Sequence, residues 1–130
     1  MRPVRRIRSN LYFMKKQSFE VAKEFLGKEV VVVVDRPIGS RHPEYDFVYE
    51  VNYGHVPGVL APDGEDLDAY FLGVEGPMEK VGGKCIAIVH RLNDDDDKLI
   101  VTPLDVNMGK EKIYKAVSFQ EKWFEYEIIM

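Results

Sequence analysis

Cysteine is nearly missing from this sequence. The single one, Cys85, can form no internal disulfide, and its place in the apolar run CIAIV makes it a reduced core residue rather than a nucleophile or ligand. Long apolar runs are missing too. None reaches the about 18–20 residues that a membrane-spanning helix needs, and no apolar segment with a small-residue cleavage site follows the early arginines. A cytoplasmic protein without a membrane partner is expected. Positive charge is in deficit, with a formal net charge of −4. A sequence-independent grip on nucleic acid phosphates is therefore not expected. There is also no glycine-rich phosphate loop, no Gly-x-Ser-x-Gly elbow and no Cys/His metal spacing. His42, His55 and His90 are scattered and read as polar residues of turns and strands.

What is present suits one soluble domain with a real core: 130 residues, 45% hydrophobic and 31% charged. Basic residues crowd the start, where Arg2, Arg5, Arg6, Arg8, Lys15 and Lys16 make residues 1–17 read as a flexible basic extension, with a nucleic-acid or membrane-surface arm as the alternative. Residues 18–130 are expected to form a single domain. Ser18 caps a short helix with Phe19, Ala22 and Leu26 on one face and Gly27 as its stop. The five valines of EVVVVVDRP favour a buried strand that ends at Pro37. Alternation over Tyr45–Tyr53 predicts a second strand with an aromatic face, and residues 54–64 read as a Pro/Gly loop. Three more strands follow over Ala69–Val74, Lys84–Leu92 and Lys98–Pro103. A helix over Lys110–Val117 precedes another that starts at the capping box Ser118-Phe119-Gln120-Glu121, docked by Trp123, Phe124 and Tyr126. The expected class is α+β, mainly β: a small β-barrel or curved sheet of at least five strands, flanked by N- and C-terminal helices.

Acidic residues are clustered, and this is where chemistry enters. YEVNYGHVPGVLAPDGEDLDAY, residues 49–70, releases Asp63, Glu65, Asp66 and Asp68 within a few positions. Carboxylates at that density repel each other, so water or cations must screen them. A second cluster, Asp94 to Asp97, runs straight into Lys98. Strand parity puts Asp94, Asp96 and Lys98 on one face if the strand starts within the run. Hard cations such as Mg²⁺ use carboxylate and water oxygens beside substrate phosphates, and a lysine reaches phosphate oxygens the metal does not. Taken singly, each cluster also reads as a solvated acidic turn.

In order and spacing these segments resemble the family I soluble inorganic pyrophosphatases. YEVNYGHVPG followed by APDGEDLDAY is similar to that family's Tyr-Pro-x-Asn-Tyr-Gly segment and its Asp-x-Asp-x-x-Asp metal signature. VVVVVDRPIGS resembles its first barrel strand, HRLNDDDDKLIVTP its later acidic loop, and FQEKWF its aromatic helix. The resemblance implies a five-stranded barrel of the oligonucleotide-binding type, Mg²⁺ dependence (with Mn²⁺ as an alternative), homo-oligomers and hydrolysis of pyrophosphate to two phosphates. It implies Asp63, Asp68, Asp94 and Asp96 as metal ligands and Glu65 as the general base. Lys98 and Tyr53 would hold phosphate, Tyr49 would stand at the pocket edge, and Asp35 and Asp46 would be outer acidic groups. Several basic positions depart from the pattern. The lysine after the first strand falls at Glu44, the late Tyr-Lys pair falls at Trp123-Phe124, and the signature proline falls at Glu50. Arg36 or Arg41 stands near enough to substitute, and Arg41 joins the candidate substrate ligands. Metal ligands are kept better than phosphate ligands. The alternative is therefore a weakly active or non-catalytic module that binds metal and a phosphorylated ligand.

Overall fold

A computed structural model describes residues 18–130; the expected basic extension, 1–17, lies outside the described residues. A short helix over residues 18–23 (α1) leads into β1 (Glu29–Arg36), β2 (Asn52–Leu60), β3 (Asp66–Phe71), β4 (Lys80–Arg91) and β5 (Lys98–Thr102). Helix α2 (Lys110–Glu121) and strand β6 (Tyr126–Ile129) complete the described chain. The sheet runs β1-β2-β3-β5-β4-β6, and a further β1–β4 pairing closes the first five strands into a barrel. All of its pairings are antiparallel except β3–β5. Closure leaves those five strands no free edge to template aggregation. The five-stranded barrel with helices is thus as expected.

Alternating side chains split the core in two. Leu67, Ala69 and Phe71 join Val30, Val32, Cys85, Leu99 and Val101 in one apolar cluster, sealed by Ala22 and, in part, Phe19 and Phe25 near α1. Tyr70 and Leu72 turn the other way, into a second cluster with Tyr49, Ala87, Val89 and Ile100 and with Ile113, Val117 and Phe119 of α2. Asp68 shares the parity of Tyr70, so it lies on the wall that faces α2. Glycine is required where strands crowd: a Cβ at Gly54 would run into the carbonyl of Val33, and one at Gly83 into that of Thr102.

Several element boundaries differ from expectation. Tyr45–Tyr53 is not a strand; an isolated bridge, Arg41 to Val48, replaces it, and the strand is Asn52–Leu60 instead. Gly58 takes a positive φ of 81° inside that strand, so its Pro/Gly punctuation marks an irregular register against β3 rather than a loop. The two late helices are one, because Ser118 sits inside α2 with its hydroxyl bonded back to the Lys115 carbonyl rather than capping. Ser18 lies in a helical turn, and its Oγ accepts a hydrogen bond from the Asp97 N–H. Gly27 ends that segment with a φ of 83°. Trp123 is 58% exposed and does not dock α2. A further strand, β6, pairs antiparallel with β4 beyond the strands expected from the sequence.

Candidate active site

The parallel pairing of β3 with β5 sets the floor of the site. Ala69 pairs with Leu99, which places Asp68 and Lys98 side by side one residue earlier. The Lys98 ammonium donates to Asp68 Oδ2 at 3.1 Å and lies 3.2 Å from Asp96 Oδ1, although the lysine side chain is only 2% exposed. A buried ammonium must be paired, and two carboxylates do it here. Tyr53, reaching over from β2, donates its hydroxyl to the same Asp68 Oδ2 at 2.7 Å. Burial first, then the Asp68 charge, holds the Tyr53 phenol well above its ordinary pKa, so it remains a donor.

Behind this floor runs a buried polar network. Arg91 meets Glu121 through two bonds of 2.9 Å, and its guanidinium stacks 3.6 Å from the centre of the Phe124 ring. Burial alone would lower the Arg91 pKa; the Glu121 carboxylate, with Asp96 and Asp94, outweighs it and raises the value. The chain of bonds continues from Glu121 to Tyr70, from Tyr70 to Gln120, and from Gln120 to the Tyr49 hydroxyl at 2.7 Å. Arg91 also touches Asp94 Oδ2 at 3.2 Å and Asp96 Oδ2 at 3.5 Å, tying the acidic loop to the barrel.

Above the floor opens a cavity of about 860 Å³, with Asp35, Asp46, Asp68, Asp96, Arg36 and Lys98 among its lining and Tyr45, Phe47 and Trp123 in its walls. Of the residues singled out in the sequence, Asp35, Asp46, Tyr49, Tyr53, Asp68, Asp96 and Lys98 line this one space. Tyr49 is buried at 2% exposure instead of standing at an edge. Burial raises its pKa, and neighbouring Arg36 pulls the value part of the way back. Asp94 lies in the acidic loop and pairs with Arg91, with its Oδ1 buried and unpartnered. Asp63 and Glu65 are exposed on the turn between β2 and β3, where Asp63 accepts the Glu65 N–H at 2.9 Å, and neither lines the cavity. Arg41 is exposed, paired to Asp46, and stands outside the lining.

Sequence reasoning missed Arg91, Gln120 and Glu121. The signal was there. Arg91 shares the parity of Ala87 and Val89 on the buried face of β4, and Ile113, Val117, Gln120 and Glu121 form one buried stripe of α2. A buried cation and a buried anion on apposed faces are expected to pair.

Among the described residues, no three of His, Cys, Asp and Glu are grouped so as to hold an ion unaided. The donor set nevertheless fits a hard cation. Mg²⁺ is bound through one or two carboxylates, with water and substrate phosphate filling the other positions. Asp68 and Asp96 are two carboxylates brought to one point, and the orphaned Asp94 oxygen is a third acceptor in the adjoining loop.

No protein-family model and no curated protein matches this sequence. Solved structures do. The inorganic pyrophosphatase of Ehrlichia chaffeensis superposes with a TM-score of 0.62 at 16% identity, covering 78% of this chain and 85% of that one. An inorganic pyrophosphatase of Helicobacter pylori gives 0.60 at 19% identity, covering 77% and 81%. One from Neisseria gonorrhoeae gives 0.56 at 21% identity, covering 69% and 70%. The chain therefore has the fold of family I-like inorganic pyrophosphatases.

Proposed function

We propose that this chain is a Mg²⁺-dependent hydrolase of phosphoanhydrides that converts pyrophosphate to two phosphates. One observation carries the reading: Tyr53, Lys98 and Asp96 all converge on the Asp68 carboxylate or its lysine partner at the floor of one cavity. Asp68 and Asp96 would hold the metal, with Asp94 beside them; Mn²⁺ suits the same oxygens. When bound, the metal neutralises phosphate charge and lowers the pKa of water. The protein's own groups do the rest. Lys98 would offer its ammonium, and Tyr53 its hydroxyl, as donors to phosphate oxygens. Arg36, which also lines the cavity, supplies a second positive charge. Asp35 and Asp46 stand on the rim as outer acidic groups. Glu65 is assigned as general base and Asp63 as a further ligand; both assignments require the 61–65 turn to close on the cavity. Tyr49 orients the wall through Gln120, and Arg41 acts only by way of Asp46.

Phosphate release from pyrophosphate in Mg²⁺ tests the proposal. Release by the wild type must exceed that of Asp68→Asn; equal rates end the catalytic claim. A second reading, a module that binds metal and a phosphorylated ligand without fast turnover, is favoured by the position of Asp63 and Glu65 outside the cavity. Calorimetric binding of pyrophosphate with no release would establish it. A cytoplasmic location and homo-oligomers belong to the same proposal, in keeping with unpaired Cys85 and exposed Val31, Leu60 and Leu104. No helix among the described residues is long and apolar enough to cross a membrane.

A further inference from the structure

The cavity is larger and more aromatic than an inorganic anion requires. About 860 Å³ falls within the roughly 300–1,000 Å³ of pockets that enclose drug-sized ligands. Its rings form a continuous track. From Lys98, whose ammonium lies 5.5 Å from the centre of the Tyr53 ring, the track passes to Tyr49 at 5.6 Å, on to Phe47 at 5.5 Å, and then to Trp123 at 5.4 Å. From Tyr49 outward exposure rises, from 2% there to 58% at Trp123, with Tyr45 at 65% beside the mouth. His42 bridges Tyr45 to Phe47 with ring separations of 4.9 and 5.0 Å. Large aromatic side chains left open to water at a cavity mouth are a binding signature, because the solvated state gains nothing from them.

We propose that the site takes a nucleoside diphosphate, with its diphosphate at the Lys98 end and its base on the aromatic wall of Phe47, Trp123 and Tyr45. The inference rests on the phosphoanhydride-binding reading of the same floor. Charge and polarity select this occupant. Cations line one end, Lys98 and Arg36, and the described ion pairs engage Lys98 but not Arg36. The other end offers π faces, on which any base stacks. Pyrophosphate has no group that could use them. The Lys122 ammonium now lies 4.7 Å from the centre of the Trp123 ring, an exposed contact that a stacking base displaces. In turnover, a water oxygen bonds to the terminal phosphorus as the bond from that phosphorus to the bridging oxygen breaks. The bridging oxygen keeps the electron pair and leaves on the nucleoside monophosphate, and the water's proton passes to solvent.

Trp123 is the chain's sole tryptophan, so its fluorescence reports on the wall alone. The test titrates the whole protein in Mg²⁺ with the α,β-methylene analogue of adenosine diphosphate, and in parallel with methylenediphosphonate, which is the same group without adenosine. The expected result is saturable quenching by the nucleotide, reversed by methylenediphosphonate. By calorimetry, Trp123→Ala and Tyr45→Ala should each weaken the nucleotide about tenfold more than methylenediphosphonate. Both residues are exposed, so the variants should fold. Binding of methylenediphosphonate without the nucleotide overturns this inference and leaves the phosphoanhydride reading intact. Binding of neither overturns both. Tighter binding of an isoprenoid diphosphate, or a fluorescence change that follows protein concentration and ignores nucleotide, assigns the wall to an apolar tail or a second copy and overturns it as well.

Discussion

The floor and the rim of the cavity are built on different terms. On the floor, Asp68 and Lys98 sit on adjacent parallel strands, Tyr53 on the next, and Arg91 and Glu121 behind them, each polar group bonded to another. At the rim and beyond it, Asp46, Asp63, Glu65 and Arg41 lie outside the named strands and face water. Strand register fixes the first set to within an ångström or so; only local turn bonds fix the second. Charge is costly on the floor unless paired, whereas exposed ion pairs such as Arg41–Asp46 contribute little. The floor is therefore where substitutions should be felt most.

The largest expected effect is structural. Arg91→Leu strands the fully buried Glu121 carboxylate and should cost about 3–5 kcal/mol in urea unfolding. A loss below about 1 kcal/mol, the exposed-pair range, would erase the distinction between floor and rim. Next comes Lys98→Met, which should lower phosphate release roughly 10²–10³-fold, the scale of one preorganised charge donor. Tyr53→Phe, which removes one donor to Asp68 and keeps the ring, should lower it about tenfold. Beyond the rim, Asp63→Asn sharpens the comparison. A loss matching that of Asp68→Asn shows that the turn closes on the cavity in turnover; a loss under about threefold keeps Asp63 outside the chemistry.

The smallest effect concerns Cys85 in the barrel interior, away from both regions. Burial pushes its thiol from 9.0 up to about 11. The folded state holds that proton more tightly than the unfolded state, so the thiol's contribution is complete below pH 9.0 and is lost as pH rises through about 11. Thermal melts across that window should show a shallower alkaline decline for Cys85→Ala than for the wild type. Parallel declines would mean that the thiol is not the group being titrated.

The aromatic track shows why some of the site was hard to read in advance. Trp123 and Phe124 lie where a helix-docking stripe is expected by spacing, yet α2 ends at Glu121 and the two rings turn into the cavity. Likewise the Pro/Gly composition of residues 54–64 suggests a loop, but β1 and β3 on either side draw most of it into β2. Local propensity lost to pairing at those positions.

By itself the sequence determined the valine strand β1, the apolar strands β4 and β5, the mainly β class and the acidic-lysine pattern of the candidate site. Those depend on periodicity, β-branching and the chemistry of near neighbours, which are local properties. Tertiary structure alone decided that Asp68 and Lys98 are neighbours, that Arg91 is matched by Glu121, and that Asp63 and Glu65 stand outside the cavity lining. Each of these joins residues far apart in the chain or sets the orientation of a turn. The energies responsible, burial of paired charge and strand register, exist only once the barrel has closed.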